Sequence, residues 1–192
     1  KIVAAGGKPS GEESFNSFLA VYFPTSQLTI LAYNRFVKEL NGLSPEKFRE
    51  EIEKVYDLVE VAEGVDPVVP ARHSFAMRLG EQWFIMTPKF AVDEADPVRC
   101  LDCQILTETV LTPILGIVNL KEDPRIDFIG GIRGHKELAR RVAETPVPSV
   151  AFRLFPVSAN EIVCIADAMK LMPPKATWFE PKLRSGLFVK SM

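Results

Sequence analysis

The sequence predicts an α+β fold, a mixed sheet with flanking helices and a last third of α/β type. Three observations predict it. Short apolar runs bounded by turn residues indicate strands, and amphipathic stretches that follow Ser-Pro or Asp-Pro pairs indicate helices. Strand and helix patterns then alternate in the last third. Hydrophobic residues make up 47% and charged residues 25% of the 192-residue chain, which is typical of a globular protein.

Turn and cap residues predict the elements of the first half. Residues 1–14 are rich in Gly, Ser and Lys, so we expect a flexible lead-in there and a single α+β domain over residues 15–192. Ser44 and Pro45 begin a helix as its cap and its first residue. Strands are expected at 18–23, 28–31, 57–61, 75–79 and 83–86, the last two forming a hairpin around residues 80–82.

The second half is expected to open with a helix and then to alternate. Asp96 and Pro97 predict the helix start, and Pro113 is expected to end or kink the helix because proline lacks an amide N–H. The elements that follow are a strand at 126–129, a helix at 135–143, a strand at 149–155 and a helix that begins with a capping box at Ser158 and runs to about Met169.

Charge and composition exclude some function classes. The net charge is −2, which disfavours a nucleic-acid binder. Residues 39–66 carry a net charge of −6, as expected of a solvated helix face, and residues 168–192 carry +4. No run approaches the length of a membrane span, and no signal-peptide pattern is present. Three cysteines do not form a disulfide framework, so we expect a reduced, cytoplasmic setting.

The turn at residues 130–135, between a predicted strand and a predicted helix, is the first candidate site. Gly130 and Gly131 allow backbone N–H groups to approach a ligand closely, and Arg133 supplies a guanidinium next to the positive end of the helix. This combination suits phosphate or carboxylate. The spacing matches neither the dinucleotide fingerprint nor the phosphate-binding P-loop, and a tight turn with an exposed arginine is the alternative.

A second group of cations lies in the proline-rich segment near the end of the chain. Lys175 and Lys182 follow prolines that stiffen the backbone, with Thr177 and Arg184 nearby, and the segment predicts a phosphate or carboxylate clamp. The alternative is that Trp178 and its apolar neighbours pack the tail down while the cations point to water. Arg35, after a predicted strand, is a further cation that could meet an anionic ligand or pair with the acidic helix.

Other chemistry-bearing residues give weaker signals. Cys100 and Cys103 form a C-x-x-C pair near a helix start, but a zinc site would need a second ligand pair, so we read them as incidental and predict no metal. Arg72 and His73 mark one of two places where a histidine could transfer a proton, and a structural or exposed histidine is the simpler interpretation. Catalytic residues and cofactors stay unassigned.

Four segments resemble one family, the domain of unknown function 1015 family: residues 16–42, 101–117, 125–133 and 172–187. Cys103 stands where the family pattern has an aliphatic residue, and Ala176 where it has serine. The resemblance implies kinship with the ParB and sulfiredoxin superfamily, whose members include nucleotide binders and a branch that phosphorylates free serine. Full members carry an upstream Asp-Gly-His-His-Arg motif, and no His-His pair occurs here.

The resemblance therefore implies the C-terminal portion of an uncharacterised ParB-like protein, and the start at Lys1 suggests a fragment or a processed product. Its function would be phosphoryl transfer, or nucleotide or phosphate binding, with a small anionic or phosphorylated ligand held by part of the site. The alternative is a non-catalytic structural or interaction module. The partner is expected to be the missing N-terminal half or another subunit. The predicted anion-binding residues are Arg35, Gly130, Gly131, Arg133, Lys175 and Lys182.

Overall fold

A computed structural model of the chain describes residues 10, 11, 13, 16, 18–22, 24–182 and 186–189. The chain divides into two compact units. One consists of residues 1–29 and 180–192, and it contains a 3₁₀ turn at Thr25–Gln27. The other consists of residues 30–179 and contains most of the regular structure. The candidate residues lie in this larger unit, except for Lys182, which belongs to the smaller one.

Seven strands and four α-helices are found among the described residues, which confirms the predicted α+β class. The strands are β1 (Thr29–Val37), β2 (Tyr56–Val61), β3 (Phe75–Leu79), β4 (Gln82–Pro88), β5 (Ile126–Gly130), β6 (Val150–Leu154) and β7 (Thr177–Glu180). The helices are α1 (Pro45–Glu53), α2 (Asp102–Leu106), α3 (Gly134–Glu144) and α4 (Ala159–Asp167), and a π-helical turn at Thr107–Leu111 continues α2.

The strands form one sheet in the order β2-β4-β3-β6-β1-β5, and β7 also pairs with β1. The pairings whose register is known are all antiparallel. Strand β1 lies between β5 and β6, with Arg35 opposite both Phe128 and Phe152. Because β5 and β6 each run antiparallel to β1, they are parallel to one another. Together with α3 they form the strand–helix–strand unit predicted for the last third, with β1 inserted between its two strands.

The sheet has two distinct faces, because successive side chains of a strand point to opposite sides. One face carries Arg35 and Val37, and it packs against α1, α2 and the π-helical turn in the larger hydrophobic core. The other face carries Phe36 and packs against α3 through Leu138 and Val142 in a smaller core. Functional side chains on the two faces therefore belong to separate surfaces.

Local capping signals fix the helix ends. The Ser44 hydroxyl accepts a hydrogen bond from the Lys47 amide at the start of α1, and Pro45 occupies the first helical position. Ser158 and Glu161 form the reciprocal capping box of α4. Arg125 holds the chain before β5 in place, since its guanidinium donates to the carbonyls of residues 115 and 116 and pairs with Asp123.

Several predicted elements differ from the structure. Residues 18–22 form no strand and are exposed, because an apolar run becomes a strand only when a partner satisfies its backbone. The strand expected at 28–31 extends to Val37 as β1. The helix expected at Asp96 begins six residues later. The Asp96 carboxylate accepts hydrogen bonds from the amides of residues 98 and 99 as a helix cap does, but a single turn follows, closed by the hydrogen bond from the Cys100 amide to the Asp96 carbonyl.

Candidate functional site

Arg35 of β1 is a fully buried cation. Its Nη1 donates hydrogen bonds to the carbonyl oxygens of Tyr33 at 2.7 Å and of Lys175 at 3.2 Å. The guanidinium carbon lies 4.5 Å from the centre of the Phe128 ring, which gives the charge a cation–π contact. Burial lowers the pKa of Arg35 to about 10, so the guanidinium keeps its charge at neutral pH.

Part of this guanidinium is unsatisfied. Arg35 Nε and Nη2 are buried, and neither has a hydrogen-bond partner within the described part of the chain. A buried polar group without a partner costs about 1–3 kcal/mol, and more when it is charged. Arg35 is therefore kept inside the sheet at an energetic cost, and its described hydrogen bonds go to main-chain carbonyls.

Lys175 is exposed, and it lies in a left-handed backbone conformation with φ of 53°. Left-handed backbone is uncommon for a residue with a side chain and costs about 1 kcal/mol. The hydrogen bond from Arg35 to the Lys175 carbonyl holds the loop in this conformation. At the end of the side chain, Lys175 Nζ lies 5.4 Å from the centre of the Tyr33 ring. The ammonium group is thus placed by main-chain and aromatic contacts.

Gly130 makes room for an indole ring beside this lysine. It lies opposite Tyr33 in the sheet, and a Cβ atom on Gly130 would come within 2.4 Å of the Trp178 ring. The Trp178 and Tyr33 rings meet edge to face with their centres 5.3 Å apart. Gly131 is equally crowded, because its Cβ would lie 2.8 Å from the carbonyl oxygen of Ala32. Close packing explains why both positions are glycine, and their contact with an anion stays a prediction.

Arg133 lies farther along the same turn and is exposed. No hydrogen bond or ion pair is seen between its side chain and the rest of the described chain. Helix α3 starts directly after it, at Gly134, without a side-chain cap. The structure therefore brings Arg35, Gly130 and Lys175 together around the Tyr33 and Trp178 rings. It shows no described contact between Arg133 and this group.

A second polar cluster is centred on His73, which has a left-handed φ of 64°. The His73 amide donates to Asp102 Oδ1 at 2.9 Å, and its ring nitrogen Nδ1 lies 3.1 Å from the same oxygen. The other ring nitrogen, Nε2, lies 2.7 Å from Glu94 Oε1. Arg72 pairs with both Glu94 and Glu161. His73 thus links α2 to the loop that carries Glu94.

Asp102 is the buried member of this cluster, with 6% of its surface exposed. Burial raises the pKa of its carboxyl to about 6, against the hydrogen bonds and the charge of His73, which lower it. Its second oxygen is buried without a partner among the described residues. Sequence reasoning considered His73 but missed Asp102, because the two positions are 29 residues apart and no spacing pattern connects them.

Burial disfavours reactivity of the two cysteines in the C-x-x-C pair. Cys100 and Cys103 are buried and Cys164 is exposed, and all three are free thiols. Burial raises the pKa of the Cys100 and Cys103 thiols, which disfavours the reactive thiolate. Across the described residues, no group of three or more His, Cys, Asp and Glu side chains is placed to hold a metal ion. No helix in the same residues has the length and apolar character needed to cross a membrane.

The comparisons with known proteins give a family and a distant set of structures. The profile of the family described as "protein of unknown function (DUF1015)" matches residues 2–104, more than half of the chain, so the chain belongs to this family. The match includes the first resembling segment, at 16–42, and ends within the second. No curated protein matches the sequence.

Among the solved structures, free serine kinase in complex with AMP is 16% identical with a TM-score of 0.43, covering 80% of this chain and 54% of that chain. A variant of the kinase in complex with ADP is 18% identical with a TM-score of 0.41 over the same shares. SbnI with C-terminal truncation from Staphylococcus aureus is 15% identical with a TM-score of 0.44, covering 88% of this chain and 55% of that chain. The chain spans about half the length of these structures.

Proposed function

We propose that this member of the DUF1015 family binds a small phosphorylated ligand on the surface formed by Tyr33, Lys175 and Trp178. The observation that carries the proposal is the hydrogen bond from buried Arg35 to the Lys175 carbonyl. An ordinary surface lysine samples many conformations and loses that freedom when it binds. Here the backbone of Lys175 is already held in one conformation, so less entropy is lost when its ammonium group meets an anion.

The aromatic rings support a ligand with a planar or apolar body. Tyr33 and Trp178 are each half-buried, their rings meet edge to face, and the Lys175 ammonium lies 5.4 Å from the centre of the Tyr33 ring. A phosphate would bind the ammonium, and a base or similar group would lie against a ring. The buried charge of Arg35 adds favourable potential from beneath, because a nearby low-dielectric interior screens it weakly. This combination suits a nucleotide better than a free metabolite without a ring.

The proposal extends to phosphoryl transfer only within a longer ParB-like protein. In such a protein Arg35 and Lys175 would stabilise negative charge on the phosphoryl group. The general base would be a residue other than these two. Gly131 and Arg133 stay as predicted additional contacts to the same ligand, and the anion contact of Lys182, in the smaller unit, stays a separate prediction. Placement within the ParB superfamily is part of the proposal and rests on the sequence motifs.

Isothermal titration calorimetry with AMP, ADP and inorganic phosphate tests the proposal, and the two nucleotides are the ligands seen in the kinase structures. The variant Lys175→Gln should weaken ADP binding about 10- to 100-fold, since a charge-assisted hydrogen bond contributes about 1.5–3 kcal/mol. Lys121→Gln, at another exposed lysine, removes the same charge elsewhere and should change little. Equal losses of ADP affinity in both variants would show that the effect comes from the overall charge of the protein and not from Lys175. A wild-type chain that responds to none of the three probes would refute the proposal and favour the interaction module.

A further inference from the structure

A separate cleft lies on the opposite face of the sheet from Arg35. Arg78 of β3 is opposite Ala151 of β6, and Ala151 is opposite Phe36 of β1, so these three side chains share one face. Arg35 precedes Phe36 and therefore points to the other face. The cleft measures about 590 Å³ and is lined by the end of β2, the β3–β4 hairpin and the first turn of α3. This volume is within the range of small-molecule sites, about 300–1,000 Å³.

Four charged side chains line this cleft, namely Arg78, Lys136, Glu63 and Glu81. Within the described chain, none of the four forms an ion pair or a side-chain hydrogen bond. Other parts of the surface contain many such pairs, including three between neighbouring residues of α1 and the turn after it. The Nε atom of Arg78 is buried without a described partner, and burial lowers the pKa of this residue against the nearby charge of Glu81, which raises it. The cleft therefore presents charges of both signs that form no described ion pair or side-chain hydrogen bond.

The walls of the cleft are held in place by their own contacts. Gln82 Nε2 donates to the carbonyls of Val61 at 2.7 Å and Trp83 at 3.1 Å, which ties the hairpin to the end of β2. The guanidinium of Arg78 lies 5.8 Å from the Trp83 ring centre. On α3, His135 Nδ1 lies 3.0 Å from a carboxylate oxygen of Asp66, and its ring meets the edge of Trp83 at 6.5 Å.

Asp66 is itself anchored, because the same oxygen accepts a hydrogen bond from Arg153 Nη1 at 2.6 Å. The first turn of α3, which carries Lys136, is thereby fixed to the loop before β3 and to β6. A site with fixed walls binds a ligand at a smaller entropic cost than one that must first be ordered. The hairpin and the first turn of α3, which carry Arg78, Glu81 and Lys136, are thus held by described contacts.

We propose that this cleft binds a small zwitterion of the amino-acid class. The acidic group of the ligand binds Arg78 and Lys136, and its ammonium group binds Glu63 and Glu81. A ligand with only one sign of charge would meet repulsion from half of the lining groups, whereas a zwitterion satisfies both pairs. The site is independent of the Lys175 surface, since the two lie on opposite faces of the sheet.

The test is an NMR titration of the isotope-labelled chain with glycine and alanine, with acetate and ethylamine as singly charged controls. The chain has two tryptophans, so the indole N–H signal of Trp83 reports on the cleft and that of Trp178 on the other face. We expect both amino acids to shift the Trp83 signal and the Gln82 side-chain amide, and the controls to bind at least 10-fold more weakly. Acetate that binds as tightly as glycine, or amino acids that leave Trp83 unchanged, would overturn the proposal.

Variants separate the two charge pairs. Glu63→Gln with Glu81→Gln, and Lys136→Gln alone, change exposed side chains, so the fold should be retained and amino-acid binding should weaken at least 5-fold in each. Arg78→Gln should weaken amino-acid binding further. An unchanged spread of backbone amide signals would show that this variant is still folded. Lys175→Gln is the matched control for the opposite face and should leave amino-acid binding unchanged. Unaltered binding in the Glu63/Glu81 double variant would also contradict the proposal.

Discussion

Replacing Gly130 by alanine is expected to destabilise the protein through one identifiable clash. The new Cβ atom would lie 2.4 Å, 2.6 Å and 2.9 Å from three atoms of the Trp178 ring, where ordinary contacts begin at about 3.4 Å. The indole must therefore retreat by about 1 Å, although it also packs against Tyr33. Overpacking of a fitted interior costs about 1–3 kcal/mol, so we expect a loss near 2 kcal/mol, or a melting temperature lower by roughly 4–8 °C.

Urea unfolding followed by circular dichroism measures this loss, and a double-mutant cycle assigns it. In a Trp178→Ala background the clash is absent, so Gly130→Ala should cost less than about 0.5 kcal/mol there. Gly131→Ala is the matched control, because its Cβ meets the main-chain carbonyl of Ala32 and its cost should persist in both backgrounds. If Gly130→Ala costs the same with and without the indole, the packing argument for this glycine is wrong.

Three further predictions concern stability. Burial raises the pKa of folded Asp102 to about 6, whereas the unfolded chain releases this proton near 3.8, so this group makes the protein less stable as pH rises through that window. Subtracting the urea stability curve of Asp102→Asn from that of the wild type isolates the slope, and parallel curves would contradict it. Ser158→Ala removes the α4 cap and should cost about 1 kcal/mol, measured by thermal unfolding, whereas Ser158→Thr should restore most of it. Arg125→Met removes the ion pair with Asp123 and the hydrogen bonds to two carbonyls, and should lower the free energy of unfolding by roughly 2 kcal/mol. A loss of stability below about 0.5 kcal/mol would show that the guanidinium is dispensable.

Elements with local signals are the ones that the sequence predicts well. The caps at Ser44 and Ser158 are confirmed because capping depends on residues three positions apart. The hairpin around residues 80–82 is confirmed for the same reason. Asp96 was misleading, since an aspartate before proline suits a helix cap and a turn equally, and the local sequence does not decide between them.

Elements that depend on distant partners are predicted poorly. The second half of β1 was missed because Asn34 and Arg35 are polar, and a polar pair argues against a buried strand. Asn34 is accommodated because its side-chain oxygen accepts the amide of Leu154, 120 residues away. Arg35 reaches the carbonyl of Lys175 across 140 residues. No spacing rule reveals such contacts, so the sequence indicated the cations of the site but not the aromatic rings that position them.

The hydrogen bond from Arg35 ends on the main chain of position 175, so it does not depend on which side chain is present there. A saturation library at this position would exchange the ligand-facing group while the backbone anchor stays in place. Glycine and asparagine, which accept left-handed backbone readily, would be the best tolerated replacements. Ligand selectivity of this surface should thus be open to engineering by single codon changes, without redesign of the supporting core.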